Sequence, residues 1–193
     1  MAQPTLIYLH GFQSSGDSAK ARLLGDYLAQ ARPDIHYLRP TFPDTPSEEW
    51  AAISACIASA LTSGPVGLIG SSLGGFWATV AAEQFALPAV LVNPAVHPQR
   101  LLRHFLGPQS NPYTGVAYTL VPEHMQELAA LDPESLRYPQ RLWLLQQSGD
   151  EVLDYRVAID FYRASRVTLE EGGNHAFSGF ERYCPEIVNF LQL

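Results

Sequence analysis

Ser72 lies at the centre of a Gly-x-Ser-x-Gly pentapeptide, written Gly70-Ser71-Ser72-Leu73-Gly74 in this chain. An apolar run ends at this pentapeptide, and a helix-like run begins directly after it. Such a context is typical of a sharp turn between a buried strand and a helix, on which a serine hydroxyl can act as a nucleophile. The alternative is a phosphate-binding or structural glycine turn, but the segment lacks a Walker lysine and a full Gly-x-Gly-x-x-Gly spacing.

A nucleophilic serine needs a histidine base, and the base needs a carboxylate that orients it. His175 follows an apolar run that ends in "EGGNHAF", on a loop that its glycines permit. Asp150 follows the run "RLWLLQQ", directly after Ser148 and Gly149. The chain order Ser72, Asp150, His175 is the order expected of an α/β-hydrolase. These three residues are therefore the predicted catalytic residues.

Other residues compete for these roles. Asp154 is expected to cap the next helix, while Glu170 and Glu171 remain alternative acids close to the histidine. His10 is expected to hold the loop that follows the first strand by hydrogen bonding, without proton transfer. The other histidines are interpreted as structural: His36, His97, His104 and His124.

An oxyanion in such a site is normally stabilised by two backbone N–H groups. The sequence nominates the N–H of Leu73, the residue after the serine, and the N–H of Phe12, in the loop after the first strand. Four aromatic side chains are candidate apolar contacts for an acyl group: Phe12, Phe76, Tyr113 and Phe177.

Short apolar runs alternate with amphipathic stretches, which is the pattern of a parallel sheet covered by helices. We predict strands at residues 5–9, 35–40, 66–70, 87–92, 141–146 and 165–170, and helices that include residues 73–85 and 122–131. Residues 94–140 fit the alternation poorly and predict an inserted lid or wall over the carboxyl edge of the sheet.

Two helices have further signals in the sequence. Thr45 with Pro46 and Glu48 predicts a capping box at the start of the second helix. Helical spacing predicts the buried faces of the first two helices. These faces comprise Leu23, Leu24, Tyr27, Leu28 and Ala31 in the first helix, and Trp50, Ile53, Ile57 and Leu61 in the second.

The composition excludes several classes of protein. The 193 residues carry a formal net charge of −7 without a basic cluster, which argues against nucleic acid or an anionic membrane as a partner. Cys56 and Cys184 are far apart and are interpreted as reduced thiols on helices. We recognise no signal peptide and no apolar run long enough to span a membrane, so we expect a cytoplasmic protein with one domain over residues 1–193.

Six stretches together resemble the YqiA family of small bacterial esterases, over nearly the whole chain. They are "YLHGF", "GSSLGGFWA", "VNPAV", "NPYTG", "WLLQQSGDEVLDYR" and "EGGNHAFSGFE". The resemblance implies an α/β-hydrolase that cleaves carboxylic esters, with no cofactor or metal, and it places nucleophile, acid and base on Ser72, Asp150 and His175. It also implies a shortened hydrolase sheet of six parallel strands in the order 2-1-3-4-5-6, with helices on both faces.

Two other functions remain open at this point. An acyl-thioesterase would use the same three residues and differ only in its pocket, so the expected partner is a small-molecule acyl ester or thioester. A binding protein without catalytic activity on the same scaffold is the alternative from another class. The oligomeric state is not readable from the sequence.

Overall fold

The computed structural model describes residues 2–193, which form eight strands. In chain order they are β1 (Thr5–Leu9), β2 (His36–Leu38), β3 (Val66–Ser71), β4 (Ala89–Val92), β5 (Gly107–Ser110), β6 (Ala117–Leu120), β7 (Leu142–Gln147) and β8 (Arg166–Glu170). Six of them make one parallel sheet in the order β2-β1-β3-β4-β7-β8. This order confirms the prediction, because β7 and β8 are the fifth and sixth strands of that sheet.

Helices cover both faces of the parallel sheet. They are α1 (Ala19–Ala31), α2 (Pro46–Leu61), α3 (Leu73–Phe85), α4 (Gln99–Leu102), α5 (Pro122–Leu131), α6 (Tyr155–Phe161) and α7 (Cys184–Leu191). The bounds of α3 and α5 are those predicted. Within residues 2–193, every helix is too short or too polar to cross a membrane. Cys56 lies on α2 and Cys184 on α7, and both are free thiols.

The four central strands of the sheet, β1, β3, β4 and β7, are buried on both sides, which explains why their sequences do not alternate between apolar and polar residues. In β1, Leu6 and Tyr8 pack in the hydrophobic cluster under α1 and α7. Ile7 and Leu9 pack in the opposite cluster, under α2 and α3. The sheet is thus the middle layer between two cores, and its carboxyl edge is free to carry loops.

Some predictions for the first two helices are wrong. Leu23 on α1 and Leu61 on α2 are each 40% exposed, and Ala31 on α1 is exposed as well, because each helix turns a different set of positions toward the sheet. Glu49 on α2 is buried instead, only 5% exposed. The predicted capping box also fails, since the Thr45 hydroxyl donates to the Glu48 carboxylate and caps no helix N–H, whereas the Ser47 N–H donates to Glu127 on α5.

The insertion at residues 94–140 contains more regular structure than its sequence indicates. It includes the short helix α4, the antiparallel hairpin β5–β6 and the predicted helix α5. The hairpin escapes prediction because β5 has the sequence "GPQS", in which glycine and proline disfavour strands. Asn111 in the hairpin turn is fully buried and donates hydrogen bonds to the Ser14 carbonyl and the Asp44 carboxylate. The insertion is thereby fastened to loops at the carboxyl edge of the sheet.

Candidate active site

Ser72 occupies a strained turn between β3, which ends at Ser71, and α3, which begins at Leu73. Its backbone has φ 56° and ψ −122°, a conformation that residues with a side chain rarely adopt. The two glycines of the motif allow close backbone approaches. A Cβ at Gly70 would lie 2.0 Å from the Gly74 carbonyl oxygen, and a Cβ at Gly74 would lie 2.0 Å from the Leu9 carbonyl oxygen.

The structure brings the side chains of Ser72, Asp150 and His175 together at the carboxyl edge of the sheet. His175 Nε2 lies 3.1 Å from Ser72 Oγ. His175 Nδ1 lies 2.8 Å from Asp150 Oδ2 and 3.0 Å from Asp150 Oδ1. The three residues follow β3, β7 and β8, so their convergence results from the parallel arrangement of strands that are distant in sequence.

The Asp150 carboxylate is buried and well supplied with hydrogen-bond donors. Its side chain is fully buried, and Oδ1 accepts hydrogen bonds from the N–H groups of Val152 and Leu153, each at 2.9 Å. Burial acts to raise the pKa of this carboxyl, but the hydrogen bonds from His175 and the two N–H groups outweigh it and lower the pKa below its usual range. Asp150 is therefore ionised at neutral pH.

The ionised carboxylate determines which nitrogen of His175 carries the proton. Both Asp150 oxygens can only accept, so His175 Nδ1 must donate to them. In the neutral ring, Nε2 then has a free lone pair that can accept the hydroxyl proton of Ser72. This tautomer is the one that a general base beside a serine requires.

The alternative acids are engaged elsewhere. Asp154 accepts a hydrogen bond from the N–H of Arg156 and caps α6, as predicted. Glu170 accepts hydrogen bonds from Gln147 and from the Tyr183 hydroxyl. Glu171 is exposed. Among the described residues, the side chain of His175 bonds to no carboxylate other than Asp150.

Three residues that we did not predict from the sequence hold the loop that carries His175. The Asn93 amide donates to the carbonyls of Asn174 and His175, at 2.9 and 3.1 Å. Gln147 accepts from the N–H of Asn174 at 3.1 Å, and Glu151 accepts from the N–H of His175 at 2.9 Å. Their positions in the sequence could have identified them. Asn93 and Gln147 are polar residues at the ends of buried strands, and Glu151 directly follows Asp150.

The two N–H groups nominated for an oxyanion are unengaged. Within residues 2–193, neither the Phe12 N–H nor the Leu73 N–H donates to a protein acceptor. The loop that carries Phe12 lies against the serine, since a Cβ at Gly11 would be 3.2 Å from Ser72 Cβ. Both groups are thus without a protein acceptor in this range, as an oxyanion hole formed by them would require.

His10 is placed as a support for that loop. The Phe42 N–H donates to His10 Nε2 at 2.9 Å, so the proton lies on Nδ1, which donates to the Gly11 carbonyl at 2.9 Å. Burial lowers the pKa of His10 and keeps the ring neutral. With both nitrogens occupied, His10 can position the loop but has no free nitrogen for proton transfer.

A cavity of about 320 Å³ opens beside Ser72 and His175. Phe12 and Tyr113 line it, and Tyr113 brings the hairpin insertion to the site. Phe76 and Phe177 do not line this cavity. Each is 2% exposed and packs in the hydrophobic core, so we do not propose them as substrate contacts.

Solved structures share this architecture at low sequence identity. Est1E from Butyrivibrio proteoclasticus, solved with ferulic acid bound, is 14% identical with a TM-score of 0.75, over 98% of this chain and 88% of that chain. The α/β hydrolase domain-containing protein 10 from mouse is 16% identical with a TM-score of 0.72, over 97% of this chain and 89% of that one. The Pyrococcus furiosus esterase Pf2001 is 16% identical with a TM-score of 0.66, over 99% and 82%. These similarities show the α/β-hydrolase fold.

The profile of the uncharacterised protein family UPF0227 matches residues 5–192, which is nearly the whole chain. This match confirms the resemblance drawn from the sequence motifs. The chain belongs to the UPF0227 family of small, YqiA-like proteins with the α/β-hydrolase fold.

Proposed function

We propose that this protein is a serine esterase, which hydrolyses carboxylic esters through an acyl-enzyme on Ser72. The observation that carries the proposal is the chain of contacts from Ser72 Oγ to His175 Nε2, at 3.1 Å, and from His175 Nδ1 to Asp150 Oδ2, at 2.8 Å. If these three residues were only structural, their contacts would not require this order, nor a serine on a strained turn. The fold shared with known esterases supports the proposal.

In the first half of the reaction, Ser72 Oγ attacks the carbonyl carbon of the ester while its proton moves to His175 Nε2. The carbonyl oxygen becomes an oxyanion that accepts hydrogen bonds from the N–H groups of Phe12 and Leu73. His175 then gives the proton to the leaving alkoxide as the bond between carbonyl carbon and alcohol oxygen breaks. The alcohol departs, and the acyl group stays on Ser72.

In the second half, water occupies the place of the alcohol. His175 Nε2 takes a proton from this water, whose oxygen attacks the acyl carbon, and the same proton then returns to Ser72 Oγ as the acyl–serine bond breaks. The carboxylic acid leaves, and the enzyme is restored. Asp150 remains ionised throughout and stabilises the protonated imidazole.

The test is covalent labelling with a fluorophosphonate, followed by intact-mass measurement. We expect one adduct on the wild-type protein and none on Ser72→Ala, because only an activated serine displaces fluoride from this reagent. Ser71→Ala, the matched control on the neighbouring serine, should still be labelled. Circular dichroism should show that all three proteins are folded. A wild-type protein that is folded and unlabelled would contradict the proposal, as would a labelled Ser72→Ala.

A further inference from the structure

Lys20 places a positive charge in the same cavity as Ser72 and His175. It lies in the first turn of α1, which begins at Ala19. Its ammonium donates a hydrogen bond of 2.9 Å to the carbonyl of Ala176, the residue after His175. The side chain therefore extends from α1 across the cavity to the histidine loop.

Lys20 is the one lysine in a sequence whose lysine and arginine residues total 12. Elsewhere the chain carries its positive charges on arginine, whose side chain engages carboxylates in ion pairs on the surface of this protein. A lysine ammonium is a compact charge with three rotatable donors, which suits a small ligand group approaching from the cavity. The one lysine of the chain thus lies in the candidate active site.

The ammonium of Lys20 is within ion-pair distance of no carboxylate in the described part of the chain, and Asp150 acts on it only from a longer distance. Within residues 2–193 Lys20 forms no salt bridge, and the cavity lining contains no aspartate, glutamate or arginine. Burial lowers the pKa of Lys20 to about 8, although the charge of nearby Asp150 acts to raise it. A partly desolvated cation with one hydrogen bond is costly to the folded protein unless an anion completes its coordination. Among the described residues its one hydrogen bond, to Ala176, leaves two of its three donor positions for such an anion.

We propose that Lys20 is a specificity-determining residue that binds a carboxylate group of the substrate, so that the preferred substrates are esters carrying a free carboxylate. The inference rests on the proposed esterase function. A carboxylate fits better than a phosphate dianion, since one ammonium balances one negative charge. Polar groups of Ser14, Ser18 and Tyr113 also line the cavity, which suits a charged group rather than a long alkyl chain.

The kinetic test uses two pairs of esters that differ only in charge. Monoethyl adipate and ethyl adipamate carry a carboxylate or its neutral amide on the acyl part. Carboxymethyl butanoate and its glycolamide counterpart carry the same groups on the alcohol part. We expect the wild-type enzyme to prefer the anion by about tenfold or more in kcat/KM in at least one pair, since a hydrogen bond to a charged group contributes this much. The pair that shows the preference identifies the side of the ester that Lys20 binds.

Variants separate recognition from a structural role. Lys20→Met keeps the length of the side chain and should lower kcat/KM for the preferred anion at least about tenfold more than for the neutral amide, whose own loss reflects only the missing bond to the Ala176 carbonyl. Lys20→Arg should restore part of the preference because it keeps the charge. If Lys20 only anchors the histidine loop through Ala176, Lys20→Met would lower kcat/KM for anion and amide equally, which would overturn the proposal. Equal kcat/KM for anion and amide in the wild type would overturn it as well.

A binding measurement keeps the inference separate from the proposed function. Because the chain has one lysine, labelling with lysine enriched in ¹³C at the ε position produces a single side-chain resonance. In Ser72→Ala, which should not turn the esters over, the anionic ester is expected to shift this resonance and raise the pKa of Lys20, whereas its amide counterpart should do neither. If the wild-type protein proves to have no esterase activity and the shift is still seen, the proposed function is refuted and the anion site stands. If the wild-type protein is an active esterase but neither anionic ester shifts the Lys20 resonance, the proposed function stands and the anion site is refuted.

Discussion

The two sides of the candidate site are held in place by different forces. The turn that carries Ser72 is held by close backbone packing, since Gly70 and Gly74 leave no room for a Cβ. The loop that carries His175 is held by side chains: the Asn93 amide donates to its carbonyls, and the Gln147 side chain accepts from its Asn174 N–H. A nucleophile thus lies on a sterically defined turn, and its base lies on a loop defined by hydrogen bonds.

This difference affects how each side responds to change. A backbone clash cannot be relieved without moving a strand or a helix, so the serine turn should tolerate almost no substitution at its glycines. Hydrogen bonds can be lost one at a time, and the remaining ones keep part of the geometry. We therefore expect substitutions of the glycines at the turn to destabilise the protein strongly and mutations at the loop to lower activity in steps.

The largest effect is expected from Gly74→Ala. Its Cβ would lie 2.0 Å from the carbonyl oxygen of Leu9 in the middle of the fold, so β1 and α3 must separate. We expect the free energy of unfolding to fall by about 3 kcal/mol or more, measured by urea denaturation. Gly25→Ala on α1 is the control, because its Cβ would meet only the movable ring of Tyr37, at 3.2 Å. A Gly74→Ala protein as stable as the control would refute the steric account.

A smaller effect is expected from Gln147→Leu. The side-chain amide of Gln147 makes four hydrogen bonds, two of them from the N–H groups of Asn174 and Ser178, and a leucine would leave these groups unpaired. We expect kcat/KM to fall by about 10–100-fold through displacement of His175. The unfolding free energy should fall by about 2 kcal/mol.

Gln146→Leu is the matched control for that experiment. Gln146 is as deeply buried as its neighbour, but its Oε1 has no partner in the described part of the chain and its Nε2 donates only to the Gln147 carbonyl. Its replacement by leucine should leave kcat/KM within about twofold and the protein as stable as before. Equal losses of activity in the two variants would mean that the histidine loop does not depend on Gln147.

The smallest effect on stability is expected from lowering the pH. Of the two sides of the site, only the side of His175 should respond, because the serine turn has no titratable group. Hydrogen bonding lowers the pKa of Asp150 in spite of its burial, and a hydrogen bond from the His175 N–H lowers the pKa of Glu151. Groups whose pKa is lower in the folded state stabilise it above their unfolded values, about 3.9 and 4.3, and this stabilisation is lost as pH falls through the folded pKa. Residues 70–74 contain no titratable side chain.

The acid prediction is checked by urea denaturation between pH 6 and pH 3. The stabilisation that Asp150 and Glu151 contribute to the wild type should be constant above about pH 5. Below about pH 4 it should be lost, and the unfolding free energy should fall. Asp150→Asn should show a shallower fall, because an amide does not titrate. Parallel pH profiles for the two proteins would show that Asp150 contributes no such dependence.

The sheet and the positions of the site residues were predictable because they follow from local patterns. Buried strands appear as continuous apolar runs; Ser72 and Asp150 each follow one of them, and His175 follows the edge strand β8. In a parallel sheet all such positions lie at one edge. The catalytic roles of these residues and of the Phe12 and Leu73 N–H groups remain predictions, which the labelling experiment tests.

Other features could not be predicted because they depend on contacts between distant segments. The hairpin β5–β6 forms around Asn111, whose partners Ser14 and Asp44 are 97 and 67 residues away. Phe76 and Phe177, which the sequence offered as substrate contacts, lie in the core because α3 and the loop after His175 turn these side chains inward. Aromatic type alone does not distinguish a buried ring from one that lines a cavity.

The sequence by itself determined the α/β class and the three residues expected to do the chemistry, whereas the order of the strands was expected only from the family resemblance. The class and the three residues depend on periodicity, on turn motifs and on the order of strand ends, which are local properties of the chain. Only the tertiary structure decided what surrounds those residues: the hydrogen bonds that hold the His175 loop, the cavity and the place of Lys20 in it. The physical reason is that these contacts join residues more than 20 positions apart, so they exist only after the sheet has brought its strand ends together.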